Sequence, residues 1–273
     1  MFLFELLKAI IFGIVEGVTE WLPVSSTGHM LLLDEILRLD LSADFYEVFE
    51  VVIQLGAALA VAVKYRDMLS PFRKNAEQMR TALRLWRVTV IGVIPSAVAG
   101  LLLDDLIEEK FYTPTVVATT LLLYGIAFII VEIIMKKRAP TVTYLSQINS
   151  KRATAIGLFQ ILSLIPGTSR SGATILGGFL CGASRSVATE FSFLLALPTM
   201  LGAGLLRGAK FFLEGNSLAL SELVLLAVGT LTAYAVSRIA VDFLTGFVKI
   251  HGFTVFGIYR IILGGVILLF TVR

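Results

Sequence analysis

Long apolar stretches separated by short polar ones are the dominant pattern along this chain. A transmembrane helix needs about 20 mostly apolar residues, and six segments come close enough to that length and composition to qualify. They are residues 47–63, 88–103, 115–135, 189–206, 223–243 and 254–270. The pattern predicts an all-α polytopic membrane protein with six transmembrane helices.

Two further apolar regions, about residues 1–40 and 152–185, are interrupted near their middle. Each contains a stretch rich in Ser and Gly next to a proline, which we call the first break (residues 23–28) and the second break (residues 166–172). Each half is too short to cross a bilayer alone. Non-helical backbone at membrane depth is tolerated only where it is buried in protein or lines a cavity, so we predict two re-entrant helical hairpins.

The two hairpins resemble each other in sequence. At an offset of 144 the matching pairs are Gly13 and Gly157, Ser25 and Ser169, Thr27 and Ser171, and Gly28 and Gly172; at an offset of 140, Glu50 matches Glu190. Within one membrane domain spanning residues 1–273, this predicts a first repeat half (1–110) and a second, inverted half (152–245). Inverted repeats with broken helices that meet near the midplane are typical of many transporters.

The charges of the loops indicate an orientation. Residues 64–87 carry seven basic and two acidic residues, and residues 136–152 carry five basic and no acidic ones, whereas the loop at 104–110 is acidic. The positive-inside rule therefore places the first two loops in the cytoplasm and the third outside. Counting the spans outward, the first hairpin lies on the outer side, the second on the cytoplasmic side, and both termini outside.

Composition supports the membrane assignment and excludes several other classes. Hydrophobic residues make up 57% of the 273 residues and charged residues only 16%, against roughly a quarter in soluble domains. The net charge is +3, in blocks between apolar segments, so we expect no nucleic-acid partner. The single cysteine, Cys181, excludes an intramolecular disulfide and a Cys-rich metal site.

Ionisable residues inside apolar segments mark function by default, and Glu16 and Glu20 are the first such pair. Being four residues apart on a helix, they share one face, where like charges repel. The pair is explained if a divalent cation, Mg²⁺ or Ca²⁺, bridges it or if one carboxyl stays protonated. The alternative is a solvated helix at the membrane edge.

The first break places hydroxyl groups next to a histidine. Ser25, Ser26, Thr27 and Gly28 precede His29, and the three-residue step from Ser26 to His29 puts hydroxyl and imidazole on one side of a helical turn. A base beside a hydroxyl is the minimum for an activated nucleophile. The serines are equally suited to cap a helix N-terminus, and both roles can hold together.

The second break has the composition of a phosphate site. Gly167 and Gly172 allow close backbone approach, Arg170 supplies a planar fork of donors, and hydroxyls come from Ser169, Ser171 and Thr174. A helix beginning near Ser171 would add its free N–H groups. Alternatively, Arg170 caps the opposing hairpin. Arg260, in the last predicted span, is interpreted either as a substrate ligand or as the structural partner of Glu190 or Glu50.

Together these groups are the inventory of phosphoryl transfer: charge neutralisation, a nucleophile or base, and positioning. Their predicted depth in the bilayer favours a phosphate carried by a lipid. Residues 16–20 (EGVTE) fit the pattern (E/Q)-x-x-x-E, and residues 166–174 fit P-G-x-S-R-S-x-x-T. With residues 23–29 (PVSSTGH), they resemble the bacterial undecaprenyl-diphosphate phosphatases, also called bacitracin-resistance proteins, and the resemblance covers nearly the whole chain.

This resemblance implies an enzyme that removes the terminal phosphate of undecaprenyl diphosphate and recycles the carrier lipid of peptidoglycan synthesis. It implies a divalent cation, a multi-pass location in the plasma (inner) membrane and an active site opening to the outer face. Residue by residue, it implies catalytic roles for Ser26, His29, Glu20 and Arg170 and metal binding by Glu16 and Glu20. The expected diphosphate ligands are Ser25, Thr27, Gly28, Gly167, Ser169, Ser171, Gly172, Thr174 and Arg260.

The identity of the nucleophile stays open at this stage. Either Ser26 or His29 attacks phosphorus, and we favour Ser26 with His29 accepting its proton. A homodimer is a further expectation. A lipid phosphatase class with a second histidine six residues after a Ser-Arg pair does not fit, because Leu176, Phe191 and Leu244 stand at those positions. A polyprenyl-phosphate transporter or flippase built on the same repeat is the alternative function.

Overall fold

The computed structural model describes residues 2–39, 41–72 and 75–271, and within these ranges the chain is helical with no assigned strand. The backbones of Val142 and Ala183 form an isolated β-bridge. The helices are α1 (Phe2–Thr19), α2 (Ser26–Leu37), α3 (Ala43–Lys64), α4 (Arg66–Leu69), α5 (Ala76–Phe111), α6 (Pro114–Met135), α7 (Ser150–Ile161), α8 (Arg170–Leu180), α9 (Arg185–Leu213), α10 (Leu220–Ile250) and α11 (Thr254–Thr271).

Five of these helices are long and apolar enough to cross a membrane, which confirms an all-helical membrane protein. The candidate spans are Asp44–Lys64, Ala76–Leu103, Pro114–Met135, Arg185–Leu213 and Leu220–Ile250, and each contains one of the first five predicted segments. The sixth predicted segment, 254–270, falls on α11, of which the described apolar stretch Thr254–Leu269 is not among the five candidate spans. The sixth span and the re-entrant course of the hairpins therefore remain predictions.

The helices of the two predicted halves are interleaved. Helix α10 packs between α1 and α3, α5 packs against α7 and α9, α3 packs against α9, and α6 packs against α11. Glycines allow the closest approaches: a Cβ at Gly13 would meet the backbone of Gly229, and one at Gly157 would meet the backbone of Gly92. Small residues at such crossings let membrane helices approach closely, so the matched glycines of the two hairpins have the same packing role.

Both hairpins turn where the sequence predicts. The first break covers the end of the connection from α1 and the first turn of α2, and the second covers the end of the connection from α7 and the start of α8. Helix α8 begins at Arg170, one residue before the expected start near Ser171. Because α2 and α8 start inside the protein, their N-termini are available to a buried site.

Candidate active site

The two breaks share one unusual local geometry. Among the described residues, Ser25 and Ser169 are the only non-glycine residues with positive φ, at 74° and 70°. Each side chain accepts a hydrogen bond from the amide three residues on: Gly28 N lies 3.3 Å from Ser25 Oγ, and Gly172 N lies 3.2 Å from Ser169 Oγ. The expected helix-capping role of Ser25 is confirmed, and the same turn recurs in both hairpins.

Arg260 joins the two breaks. Its side chain is fully buried and donates to the carbonyl of Pro23 at 3.2 Å and to those of Gly167 and Thr168 at 2.8 and 2.9 Å. These bonds go to carbonyls, so the pairing with Glu190 or Glu50 that the sequence left open is not what the structure shows. A guanidinium in this position neutralises the carbonyl dipoles that the non-helical backbone leaves unpaired.

Arg170 forms the second connection, to a carboxylate of the other hairpin. Its Nη2 and Nε lie 3.1 and 3.3 Å from Glu20 Oε1, while Nη1 donates to the carbonyl of Ser192 at 2.7 Å. The guanidinium also lies over the indole ring of Trp21, 5.7 Å from its centroid. Arg170 thus contacts the opposing hairpin through Glu20, and both its expected capping of that hairpin and its expected role toward phosphate stay predictions.

Ser26 is paired with Glu20 rather than with His29. Its Oγ donates to Glu20 Oε2 at 2.8 Å. His29 Nδ1 lies 2.7 Å from the carbonyl of Ser25, and Nε2 lies 2.7 Å from the hydroxyl of Tyr259. Since a carbonyl only accepts, Nδ1 carries a proton, and when the ring is neutral the Tyr259 hydroxyl donates to Nε2. The proton acceptor next to Ser26 is therefore Glu20.

Among the described carboxylates, Glu16 has a buried oxygen without a hydrogen-bond partner. The residue is 1% exposed, and its Oε1 has no hydrogen-bond partner. It interacts electrostatically with Glu20 and Glu50. Within the described residues, no group of three or more His, Cys, Asp or Glu side chains is arranged to hold a metal ion. A buried, unpartnered oxygen beside a second carboxylate fits a cation that takes its other ligands from phosphate and water, as Mg²⁺ commonly does.

The remaining residues of the second break mainly shape the turn. Ser171 and Thr174 are buried, and the Thr174 hydroxyl donates to Ser192 Oγ at 2.7 Å. Ser169 and Ser171 hydroxyls lie 3.1 Å apart. Gly167 has φ 85°, and a Cβ there would meet Thr120 and Val117. These contacts shape the turn at the start of α8, where the Ser169 hydroxyl already accepts from the amide of Gly172.

The structure also contains a polar cavity of about 610 Å³. It is lined by ends of α2, α3, α5 and α9, and its ionisable residues include Asp34, Arg38, Glu47, Glu50 and Arg207. Glu50 lines the cavity and acts electrostatically on Glu16 of the cluster. Ser26, Glu20 and Arg170 are not among the lining residues of the cavity.

Comparison with known proteins identifies the family. Residues 9–266 match the family of the bacitracin resistance protein BacA. An undecaprenyl-diphosphatase of Enterococcus faecalis is 51% identical over 266 residues, covering 97% of this chain and 96% of the relative. Another, from Streptococcus pyogenes serotype M3, is 49% identical over 273 residues, covering 99% and 98%. The chain belongs to the bacitracin resistance protein family. The resemblance expected from the motifs is confirmed.

In this member of the bacitracin resistance protein family, three site residues escaped the sequence analysis. Ser192 orients Arg170, and Tyr259 pairs with His29; neither lies near its partner in sequence. Gln160 was detectable, because it stands 144 residues after Glu16 and is likewise buried with an unpartnered side-chain oxygen. The second hairpin thus carries a neutral amide where the first carries a carboxylate, which confines the negative charge to the first.

Proposed function

We propose that this protein hydrolyses undecaprenyl diphosphate to undecaprenyl phosphate and inorganic phosphate, and thereby supports carrier-lipid recycling and bacitracin resistance. The observation that carries the proposal is the chain of contacts from Ser26 through Glu20 to Arg170, at the meeting point of two helix N-termini. Its membership of the bacitracin resistance protein family and the two undecaprenyl-diphosphatases that are about half identical to it give independent support.

In the first step, Ser26 Oγ attacks the terminal phosphorus and its proton passes to Glu20. The bond from that phosphorus to the bridging oxygen breaks, and its electron pair leaves with the lipid monophosphate. A water then attacks the phosphoserine, the bond to Oγ breaks, and Ser26 regains the proton held by Glu20. The water loses one proton to solvent as inorganic phosphate departs. A nucleophile hydrogen-bonded to its base is the arrangement that this sequence of steps requires.

Arg170 and the two helix N-termini would stabilise the charge on the transferring phosphoryl group. The Ser192 carbonyl fixes one end of the guanidinium, so the other end can turn from Glu20 toward phosphate oxygens without losing its orientation. Free N–H groups at the start of a helix favour anions. Preorganised donors of this kind are the main contribution that proteins make to phosphoryl transfer.

We further propose that Glu16 and Glu20 hold a divalent cation, Mg²⁺ or Ca²⁺. When bound, it would neutralise the negative charge of the diphosphate. The unpartnered oxygen of buried Glu16 supports this assignment. His29 does not contact Ser26, so we assign it, through the Ser25 carbonyl and Tyr259, to positioning the first break against α11.

The two hairpins and the helices that follow them are proposed to form an inverted repeat in a bacterial plasma membrane. Similar order supports it: α1, α2, α3, α5 and α6 recur as α7, α8, α9, α10 and α11. The polar cavity is lined by the end of α5 near Tyr112, which the loop charges assign to the outer face. We therefore propose that the site opens outward; a homodimer remains a prediction.

The deciding experiment measures phosphate release from undecaprenyl diphosphate by the purified protein in detergent. We expect release with Mg²⁺ or Ca²⁺, its loss with excess chelator, and its loss in Ser26→Ala and Arg170→Ala. Matched controls are Ser217→Ala and Arg138→Ala, which change exposed residues. Full activity of a folded Ser26→Ala protein would overturn the serine nucleophile. Lipid movement across vesicles without any phosphate release would favour the transporter alternative.

A further inference from the structure

An apolar groove runs between α5 and α9 and continues from the polar cavity. It has a volume of about 340 Å³ and lies over the segment between α7 and the second break. Its wall includes Gly100 and Leu101 of α5 and Gly202 and Leu206 of α9. The leucines are 71% and 51% exposed, so in a bilayer the groove opens toward lipid.

The groove and the polar cavity share two residues, Leu164 and Arg207. Arg207 stands at the junction, where it donates to Glu47 at 2.9 Å on the polar side. Leu164 lies just before the second break. A ligand with its phosphate end at the second break would therefore have the groove next to its apolar end.

Gly100 and Gly202 line the groove, and neighbouring atoms would not clash with a Cβ added at either position. No heavy atom lies within 4 Å of a Cβ built at Gly202, and at Gly100 only the Leu164 side chain does, at 3.7 Å. Gly92 and Gly204 of the same helices are closely packed, against Leu195 and Ala153 and against Leu55, whereas Gly208 is open but lies outside the groove. Glycine inside a helix is unfavourable relative to alanine, and at Gly100 and Gly202 the missing side chains leave room in the groove for an occupant.

The floor of the groove is fixed rather than collapsible. Gln160 Nε2 donates to Ser96 Oγ at 2.6 Å and to Thr199 Oγ1 at 3.0 Å. These bonds tie α7 to both α5 and α9. A preformed apolar groove beside a few convergent polar groups is the usual form of a small-molecule site.

We propose that this groove binds the first isoprene units of the polyprenyl chain of the substrate. The proposal rests on the phosphatase function above, because it takes the diphosphate end to lie at the second break, which follows Leu164 of the groove in sequence. At about 340 Å³, the groove holds only the part of a long chain nearest the diphosphate, and the rest extends into the bilayer.

The first test fills the groove. Because Gly202 and Gly100 have open space, Gly202→Leu and Gly100→Leu fit without disturbing the helices. Gly208→Leu is the matched control: it lies on α9, also has no heavy atom within 4 Å of its added Cβ, and does not line the groove. With farnesyl diphosphate as substrate, we expect the KM of each filled variant to rise about tenfold with kcat little changed, as when apolar binding common to ground and transition states is removed.

The second test does not depend on activity. A farnesyl diphosphate analogue with a benzophenone at the end of its chain is cross-linked to the protein, and the modified peptides are mapped. We expect modification of the groove walls in α5 and α9, lost in Gly202→Leu and kept in Gly208→Leu. Phosphate release by the wild-type protein with unchanged KM in both filled variants, or cross-links confined to other helices, would overturn the groove assignment and leave the phosphatase function standing. No release, with cross-links in the groove, would overturn the function and not the groove.

Discussion

Glu20 connects the two groups to which we assign the chemistry. One of its oxygens accepts from Ser26 and the other from Arg170. The change Glu20→Gln keeps the size of the side chain and removes its capacity to take a proton. We expect kcat for phosphate release to fall about 10²–10⁴-fold, the usual worth of a positioned base. Glu214→Gln, at an exposed carboxylate, should leave kcat unchanged. A loss below tenfold at position 20 would mean that another group accepts the serine proton.

Removing the hydroxyl of Tyr259 tests the positioning role that we assign to His29. The two rings are stacked, 5.6 Å between centroids and 4° between planes, and Tyr259 supplies a hydrogen bond to Nε2. Tyr259→Phe keeps the stacking and removes that bond, which is worth about 1 kcal/mol. We expect kcat to fall about fivefold, measured beside Ser26→Ala. A loss as large as that of Ser26→Ala would instead place the His29–Tyr259 pair in the chemical step.

Local rules predict the residues of the site but not their pairing. Ser25 and Ser169 were predictable as caps, because capping depends on the residue three positions ahead. The partner of Ser26 was not, because a non-helical turn separates it from Glu20 and a helical three-residue spacing pointed to His29. Arg170 and Glu20 are 150 residues apart, and only the packing of two hairpins brings them together.

At the scale of elements, the two breaks combine a helix cap with a strained backbone. Positive φ is unfavourable for serine and easy for glycine, whereas capping favours serine strongly over alanine and only slightly over glycine. Ser169→Ala should therefore lower stability by about 1 kcal/mol, and Ser169→Gly should be as stable as the wild type or more so. The measurement is the midpoint of thermal unfolding in detergent.

Ser184 provides the matched comparison for this prediction. It caps α9 through the amide of Val187, yet its φ is −65°, so glycine relieves no strain there. The expected order of stability is Ser, then Gly, then Ala at position 184, but Gly at least equal to Ser at position 169. The same order at both positions would show that the positive φ of Ser169 does not lower the stability of the protein.

The hydrophobic pattern located the helices, because burial in lipid and helix length leave a strong signal in sequence. The predicted segment 254–270 coincides with α11, which has 18 residues and packs along α6. The glycine match between the hairpins was visible, but the crossing partners of Gly13 and Gly157, Gly229 and Gly92, come from the other half of the chain. Interleaving of halves is a property of tertiary packing that no local pattern encodes.

The direction in which the whole molecule faces decides which side supplies its substrate. Cys181 is the one cysteine, so a Cys181→Ser background allows single cysteines to be placed at Tyr112, on the wall of the polar cavity, and at Lys137, in a basic loop. On intact cells we expect a membrane-impermeant maleimide to label Tyr112→Cys, and Lys137→Cys only after permeabilisation. The loop charges require this order. The reverse pattern would open the polar cavity to the cytoplasm, and the phosphatase would then act on lipid diphosphate presented at the inner face.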